Sequence, residues 1–356
     1  MFFVLPSQLI GFDVLVRYSL GPVSINPFPG PTRRTGKQST ALPPAALWRE
    51  RGWRAVASLL LYPARPLRQQ PKAVKKARLR PSGVTILSAQ IRVAIAGFGA
   101  IGFAVAEALD NGIGGLELAA VSARDAARAQ NRMSAFKNPV PVLPFTDLAA
   151  QADVVIECLP AAHFAELAVS VLGRGGTLIP LSVGALLPRP ELIDLARAKG
   201  GTIIVPTGAL LGLDAVRACA EGPVESVTLV TRKPPGGLAG APHLVDNDIS
   251  VENLTEPKLV FEGTARDGAR GFPANVNVGA ALSLAGIGPD KTTLQIWADP
   301  TVTRNTHTVQ VEADAARLTM TIENVPTEEN PKTGKITALS VLATLRRMAG
   351  PLRVGT

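Results

Sequence analysis

The chain has 356 residues, 46% of them hydrophobic and 18% charged, which is enough to bury at least one large core and to build two domains. Two cysteines, Cys158 and Cys219, each in an apolar stretch, argue against a disulfide framework or a thiolate metal site and fit buried thiols in a reducing, cytoplasmic setting. The formal charge of +9 would by itself point to a polyanionic partner, but residues 1–90 hold 14 of the 37 Lys and Arg against 2 of the 28 Asp and Glu, leaving 23 bases and 26 acids in residues 91–356.

Those first ninety residues also carry 11 of the 30 prolines, and no helical or alternating pattern survives for long among them. A basic, Pro-rich, largely disordered extension is expected there. Residues 1–21 are apolar without a preceding basic region and contain Asp13, which argues against a secretory signal. No uninterrupted apolar run approaches the ~20 residues that cross a bilayer, so no membrane partner is expected. Three readings of the extension stay open: a start codon assigned too early, an Arg-rich organelle-targeting segment, or a basic arm that touches nucleic acid. For the folded part, close to neutral, a nucleic-acid partner is not expected.

From residue 91 the texture changes. Residues 91–96 form a short apolar strand, 97–102 a glycine turn and 103–109 the start of an apolar helix, the first half of a βαβ unit. Strands are expected at 116–121, 154–158, 177–181 and 202–205, alternating with helices such as 164–172 and 190–199. Near-continuous apolar strands between helices indicate a parallel sheet covered on both faces. Beyond residue 205 strands crowd together at 224–231, 293–298, 306–312 and 318–323, as in an α+β domain. Residues 336–348 have helical spacing and end on Arg346 and Arg347, where cations suit the helix dipole. The expected organisation is an extension over 1–90, a dinucleotide-binding domain over 91–206, an α+β substrate and dimerisation domain over 207–332, and a C-terminal helix over 333–356 that returns to the first domain.

Gly97-Phe98-Gly99-Ala100-Ile101-Gly102 follows a strand and opens a helix, the context in which a G-x-G-x-x-G pattern marks a Rossmann dinucleotide site. The first glycine permits the turn, the second admits the pyrophosphate, the third lets helix and strand pack, and the helix start offers N–H donors to the anion. Where NAD-preferring sites put an acid on the ribose, this chain has Ser122-Ala123-Arg124. Arg124 either pairs with a 2′-phosphate, making NADP as acceptable as NAD, or is a solvated side chain at a helix start.

From about residue 91 to 350 the chain resembles the L-aspartate dehydrogenase family. The resemblance is carried, in order, by the glycine turn, Val155-Ile156-Glu157-Cys158, Thr207-Gly208-Ala209 with Gly212-Leu213-Asp214, Lys233-Pro234-Pro235, Phe272-Pro273-Ala274-Asn275-Val276-Asn277-Val278, Ala298-Asp299-Pro300, Asn305-Thr306-His307, and Glu323-Asn324 through Glu329-Asn330-Pro331-Lys332-Thr333. The resemblance implies oxidative deamination of L-aspartate to iminoaspartate, then oxaloacetate and ammonia, with hydride passed to NAD or NADP, feeding pyridine-nucleotide synthesis in a homodimer. It also implies His307 as the catalytic histidine, with cofactor contacts at Asn277 and in the loop after the fourth strand, around Ala161 and Ala162, where Leu159-Pro160-Ala161-Ala162-His163 departs from the family pattern.

Deamination needs a hydride acceptor against the α-carbon, a proton shuttle, and cations or dipoles for two carboxylates. Histidine suits the shuttle, with an ordinary pKa of ~6.5. Of three histidines, His243 is expected in a surface loop and His163 either near the nicotinamide or capping a helix. His307 shares a strand face with Val309 and Val311, as a satisfied core residue or as a catalytic group on the covered face. Asn275 and Asn277 open a helical run and are N-cap candidates, with Asn277 as a cofactor amide contact the alternative. For the carboxylates, Lys233 is the candidate charge, and Thr207 and Gly208 the candidate source of N–H groups at a helix start. Asp299, before Pro300, is expected to organise a turn, and the scattered histidines and cysteines do not make a metal site. Two other functions stay open: a related aspartate-pathway NAD(P) reductase or dehydrogenase with another substrate, and a non-catalytic dinucleotide-binding sensor.

Overall fold

Five small and branched apolar residues and an exposed Arg92 make β1 (Ile91–Ala96), whose last four residues are fully buried, as suits a central strand covered on both faces. The structure, a computed structural model, describes residues 90–273, 276–329 and 333–355, so apart from Gln90 the expected disordered extension lies outside the described residues. The glycine turn leads into α1 (Ala100–Asp110), which buries Gly102, Val105, Ala106 and Leu109 along one stripe. β2 (Leu116–Ser122) follows, then α2 (Ala126–Arg132), whose first turn is capped by the Asp125 carboxylate accepting from the Arg128 N–H. β3 (Val154–Glu157), α3 (Phe164–Gly173), β4 (Thr177–Pro180), α4 (Glu191–Lys199) and β5 (Thr202–Ile203) complete the first domain.

Its five strands lie parallel in the order β2-β1-β3-β4-β5, the Rossmann arrangement expected from the sequence. The order reverses between β1 and β3, so a crevice opens at their carboxyl ends, where the glycine turn sits. Two details differ. Val154–Glu157 is the third strand rather than the fourth, because the preceding stretch contributes only a bridge between Val121 and Val142, and Pro141 and Pro144 deny a longer ladder its N–H donors. Likewise β5 stops at Ile203, since Pro206 interrupts any continuation.

The second domain comprises α5 (Leu213–Ala220), β6 (Val224–Lys233), α6 (Pro242–Asp246), β7 (Lys258–Thr264), α7 (Ala265–Gly271), α8 (Asn277–Ala285), β8 (Thr292–Ala298), β9 (Asn305–Ala313) and β10 (Arg317–Asn324). Burial alternates along β6 and β8, the mark of a sheet with one covered face. The strand order is β10-β9-β6-β8-β7, with β6 and β8 parallel and the other pairs antiparallel. Val227, Leu229, Leu294, Ile296, Val309 and Val311 form the inner face, packed with Phe272 and Leu282. β7 escapes the sequence pattern because its register shifts between Leu259 and Phe261, and a bulge destroys alternation.

The last helix, α9 (Ile336–Ala349), inserts Val341 and Leu345, both fully buried, into the core formed by Val93, Ile95, Val105 and Leu109 of the first domain. The chain therefore crosses back after finishing the second sheet. Replacing Leu345 by Ala is expected to lower unfolding stability by about 2–5 kcal/mol, read by chemical denaturation; a loss below about 1 kcal/mol would mean that α9 is not part of this core.

Candidate active site

The glycine turn is shaped by what its neighbours leave no room for. Gly97 has φ +102°, and a side chain there would strike the carbonyl of Cys158; one at Gly102 would strike the carbonyl of Gly97. At Gly99, by contrast, nothing stands within 4 Å. The turn thus presses helix and strand together at two positions and leaves open space at the third, where the N–H groups of the first turn of α1 have no partner within the helix. A dinucleotide pyrophosphate fits this shape. Arg132 braces the turn, its guanidinium 3.9 Å over the Phe103 ring and donating to the Phe98 carbonyl, while also pairing with Glu329 at 3.1 Å.

From the turn a cleft of about 460 Å³ runs to the end of the second sheet. Gly99, Ala100, Ile101 and Gly102 line one end, Lys233, Asn277 and His307 the other, and Cys158, Leu159, Leu181, Ser182 and Val183 lie among its remaining walls. Thr207, Gly208 and Ala209 also face it. A smaller chamber of about 310 Å³ shares Lys233, Asn305, Asn324 and Gly334 with the cleft and reaches Arg304.

His307 comes from β9, on the same covered face as Val309 and Val311. Its partner across the ladder is Thr231 of β6, whose Oγ1 lies 3.0 Å from the imidazole Nδ1. Two residues on along the same face of β6 stands Lys233, 7% exposed. Burial first, and the Lys233 charge second, push the imidazole down from the ordinary 6.5 to about 3, so the ring is neutral throughout the physiological range. The fold thus holds the imidazole well below the value near neutrality of an unperturbed histidine, on which the sequence reading rests. Asp299 is buried at 2% exposure and accepts from Thr301 N, Thr301 Oγ1 and Arg232. It thereby fixes the turn after β8, and its own N–H donates to the Lys233 carbonyl.

Asn277 is not an N-cap. The cap of α8 is Val276, and the Asn277 Oδ1 accepts from the Gly184 N–H at 3.0 Å, which ties the second domain to the loop after β4 and leaves the Nδ2 donor for the cleft. Asn275 lies outside the described residues. Thr207 and Gly208 do not open a helix, since α5 starts at Leu213, and the Gly208 N–H is spent on Ser340 Oγ. Ala161 and Ala162 are exposed on a short 3-10 turn and are not among the cleft-lining residues, whereas Ala209 is, its carbonyl held by Asn324 Nδ2. Arg124 is exposed two residues beyond β2. His163 is exposed, its ring 5.2 Å from that of Phe145, and occupies the N-cap position of α3 without a side-chain hydrogen bond, and His243, expected in a surface loop, belongs to α6 and packs on Phe261 and Phe272. Sequence reasoning passed over Thr231, Ser182, Asn324 and Arg132. The pairing of residue 231 with 307 emerges only in the fold, and it matters because neighbours of a histidine on the adjoining strand decide its tautomer.

Comparison with known proteins agrees with this geometry. Residues 97–206 match the model of the homoserine dehydrogenase NAD-binding domain, and residues 214–348 the model of the aspartate dehydrogenase C-terminal domain. An L-aspartate dehydrogenase of Bradyrhizobium diazoefficiens is 55% identical over 76% of this chain and 95% of its own, and L-aspartate dehydrogenase 3 of Bordetella bronchiseptica is 56% identical over 75% and 98%. The chain belongs to the L-aspartate dehydrogenase family. The crystal structure of aspartate dehydrogenase from Thermotoga maritima, 23% identical, superposes with a TM-score of 0.58 over 75% of this chain and all of that one, which shows the shared fold. The first domain of this family member is accordingly a NAD(P)-binding domain.

The depressed imidazole carries a sign that can be checked. Unfolded, His307 takes a proton near pH ~6.5; folded, it stays neutral down to about 3. The unfolded chain binds the extra proton in that window, so this group makes stability fall as pH falls from ~6.5 towards 3. Thermal melts of His307→Gln are expected to lose stability less steeply over that range than the parent; parallel curves would show that the imidazole is not held neutral by the fold.

Proposed function

We propose that the protein is an L-aspartate dehydrogenase, which oxidises L-aspartate to iminoaspartate with reduction of NAD or NADP, hydrolysis then giving oxaloacetate and ammonia. The observation that carries the reading is the juxtaposition, at the end of the cleft remote from the glycine turn, of a neutral His307 and a buried Lys233. When bound, the dinucleotide supplies the hydride acceptor. The chain's own residues do the rest. With its Nδ1 proton donated to Thr231 Oγ1, His307 offers Nε2 as the base that takes a proton from the substrate ammonium, releases it to solvent, and then takes one from the water that hydrolyses the imine. Lys233 holds a substrate carboxylate, and once that negative charge is bound it offsets the ammonium's pull on the imidazole, so the base gains proton affinity when it is needed. Arg304, which lines the adjoining chamber, is the charge we assign to the second carboxylate. The Asn277 amide, which lines the cleft, would help to hold the dinucleotide. A sensor that merely holds a dinucleotide has no use for a buried imidazole and lysine at this point.

Acceptance of NADP rests on Arg124 and on Ser122-Ala123-Arg124 standing where NAD-preferring sites put an acid, the next carboxylate, Asp125, being engaged as the cap of α2. A cytosolic location is supported by two free cysteines, Cys158 and Cys219, a homodimer and a role in supplying pyridine-nucleotide synthesis by membership of the family. Among the described residues no helix is long and apolar enough to cross a membrane.

The purified protein is expected to reduce NAD or NADP in the presence of L-aspartate, followed by absorbance, and His307→Ala to lower kcat by about 10²–10⁴-fold. No turnover with either dinucleotide across pH would remove the reading. Thr231→Val, which keeps the shape but removes the hydroxyl, is expected to lower kcat by roughly tenfold with little change in KM for aspartate; a change in KM alone would place Thr231 in binding rather than in orienting the imidazole.

A further inference from the structure

Beneath the wall between the two ends of the cleft lies a carboxylate that the reaction scheme does not use. Glu157, the last residue of β3, is fully buried. Its Oε1 accepts from Leu159 N at 2.8 Å and from Ser182 Oγ at 3.0 Å, and its Oε2 accepts from Ser182 N at 2.9 Å and Leu181 N at 3.2 Å. Three of these four donors are backbone N–H groups, which cannot reverse. They belong to the loops after β3 and β4, and Leu159, Leu181 and Ser182 all line the cleft. One side chain therefore joins the two loops over which anything spanning from the glycine turn to His307 must lie.

No ion pair reaches Glu157 among the described residues. Burial is the largest influence and leaves its carboxyl above the ordinary carboxylate value, although the hydrogen bonds from Ser182, Leu159 and Leu181 pull it down; donors meet both of its oxygens, the arrangement that suits the ionised form, and the neighbouring Cys158 thiol is pushed up by burial and by the Glu157 charge. A buried carboxylate that lacks a counter-cation projects its field into the nearest space able to hold one. That space is the cleft, and oxidised nicotinamide is a cation where the reduced ring is neutral.

We propose that Glu157 is a positioning residue of the cofactor cleft whose negative charge makes the cleft hold the oxidised dinucleotide in preference to the reduced one. The inference rests on the reading that the dinucleotide spans this cleft. It assigns to the carboxylate a thermodynamic role separate from loop geometry: it makes the bound nicotinamide couple harder to reduce, and it helps the reduced product to leave.

The test is the ratio of dissociation constants for oxidised and reduced dinucleotide, measured by calorimetry or by quenching of protein fluorescence on the full chain. Glu157→Gln is expected to weaken the oxidised form by on the order of tenfold more than the reduced form, equivalent to about 30 mV in the bound two-electron couple. Ser182→Ala keeps the charge and is expected to leave the ratio unchanged even where both affinities fall. Equal losses for both forms in Glu157→Gln would overturn the proposal, whereas failure of the parent protein to bind either form would overturn the cofactor reading itself. Should the Gln variant not fold, infrared spectra of the parent protein with isotope-labelled glutamate and bound oxidised dinucleotide decide the matter: no protonated buried glutamate supports the proposal, and a protonated band sinks it.

Discussion

An imidazole and an ammonium that share a buried corner each oppose a charge on the other, and everything else in the cleft accommodates that constraint. The pair is held apart from water by two different strands, β6 and β9, whose ladder puts Thr231 opposite His307 and Lys233 two residues further on. Strand geometry leaves little freedom at these points, because side chains on one face of a sheet are set by a period of two. A base kept unprotonated by its surroundings is ready for a cationic amine, and the same surroundings welcome an anion. On the proposed function, this corner would favour a zwitterion carrying more negative than positive charge.

The two domains contribute unlike things. The first supplies backbone: a turn closed by two glycines that admit no side chain, an open third, and a helix start. The second supplies side chains from the ends of two interior strands of a mixed sheet, Lys233 on β6 and His307 on β9. Asn277 and Arg132 stitch them across the cleft, the former through the Gly184 N–H and the latter through Glu329. Such stitches matter because hydride transfer tolerates little error in the distance between donor and acceptor.

Much of this was legible in the residues. The glycine turn announced itself through its position between a strand and a helix, and the strands around His307 through their alternation. The role of His307 in the ladder was visible; its environment was not, since burial and the proximity of Lys233 depend on a pairing between segments some seventy residues apart. Thr207 and Gly208 misled because a Thr-Gly pair before an apolar run looks like a helix start, while the chain needs one more turn before α5 begins. Ala161 and Ala162 carry no chemistry of their own to localise a contact, so only the resemblance points to them. Glu157 was quoted as part of a motif without a purpose, for a carboxylate inside an apolar strand only makes sense once the loops that donate to it are known.

The return of α9 into the first domain has a consequence for how such a protein can be rearranged. The dinucleotide-binding half is covalently discontinuous: its core is closed by Val341 and Leu345, which lie beyond the whole of the second sheet. A cut after residue 206 would yield a fragment with an uncovered seam. Exchange between homologues has to carry both pieces together, so recombination within this architecture favours substituting the inserted sheet and leaving its two flanking segments as a matched set.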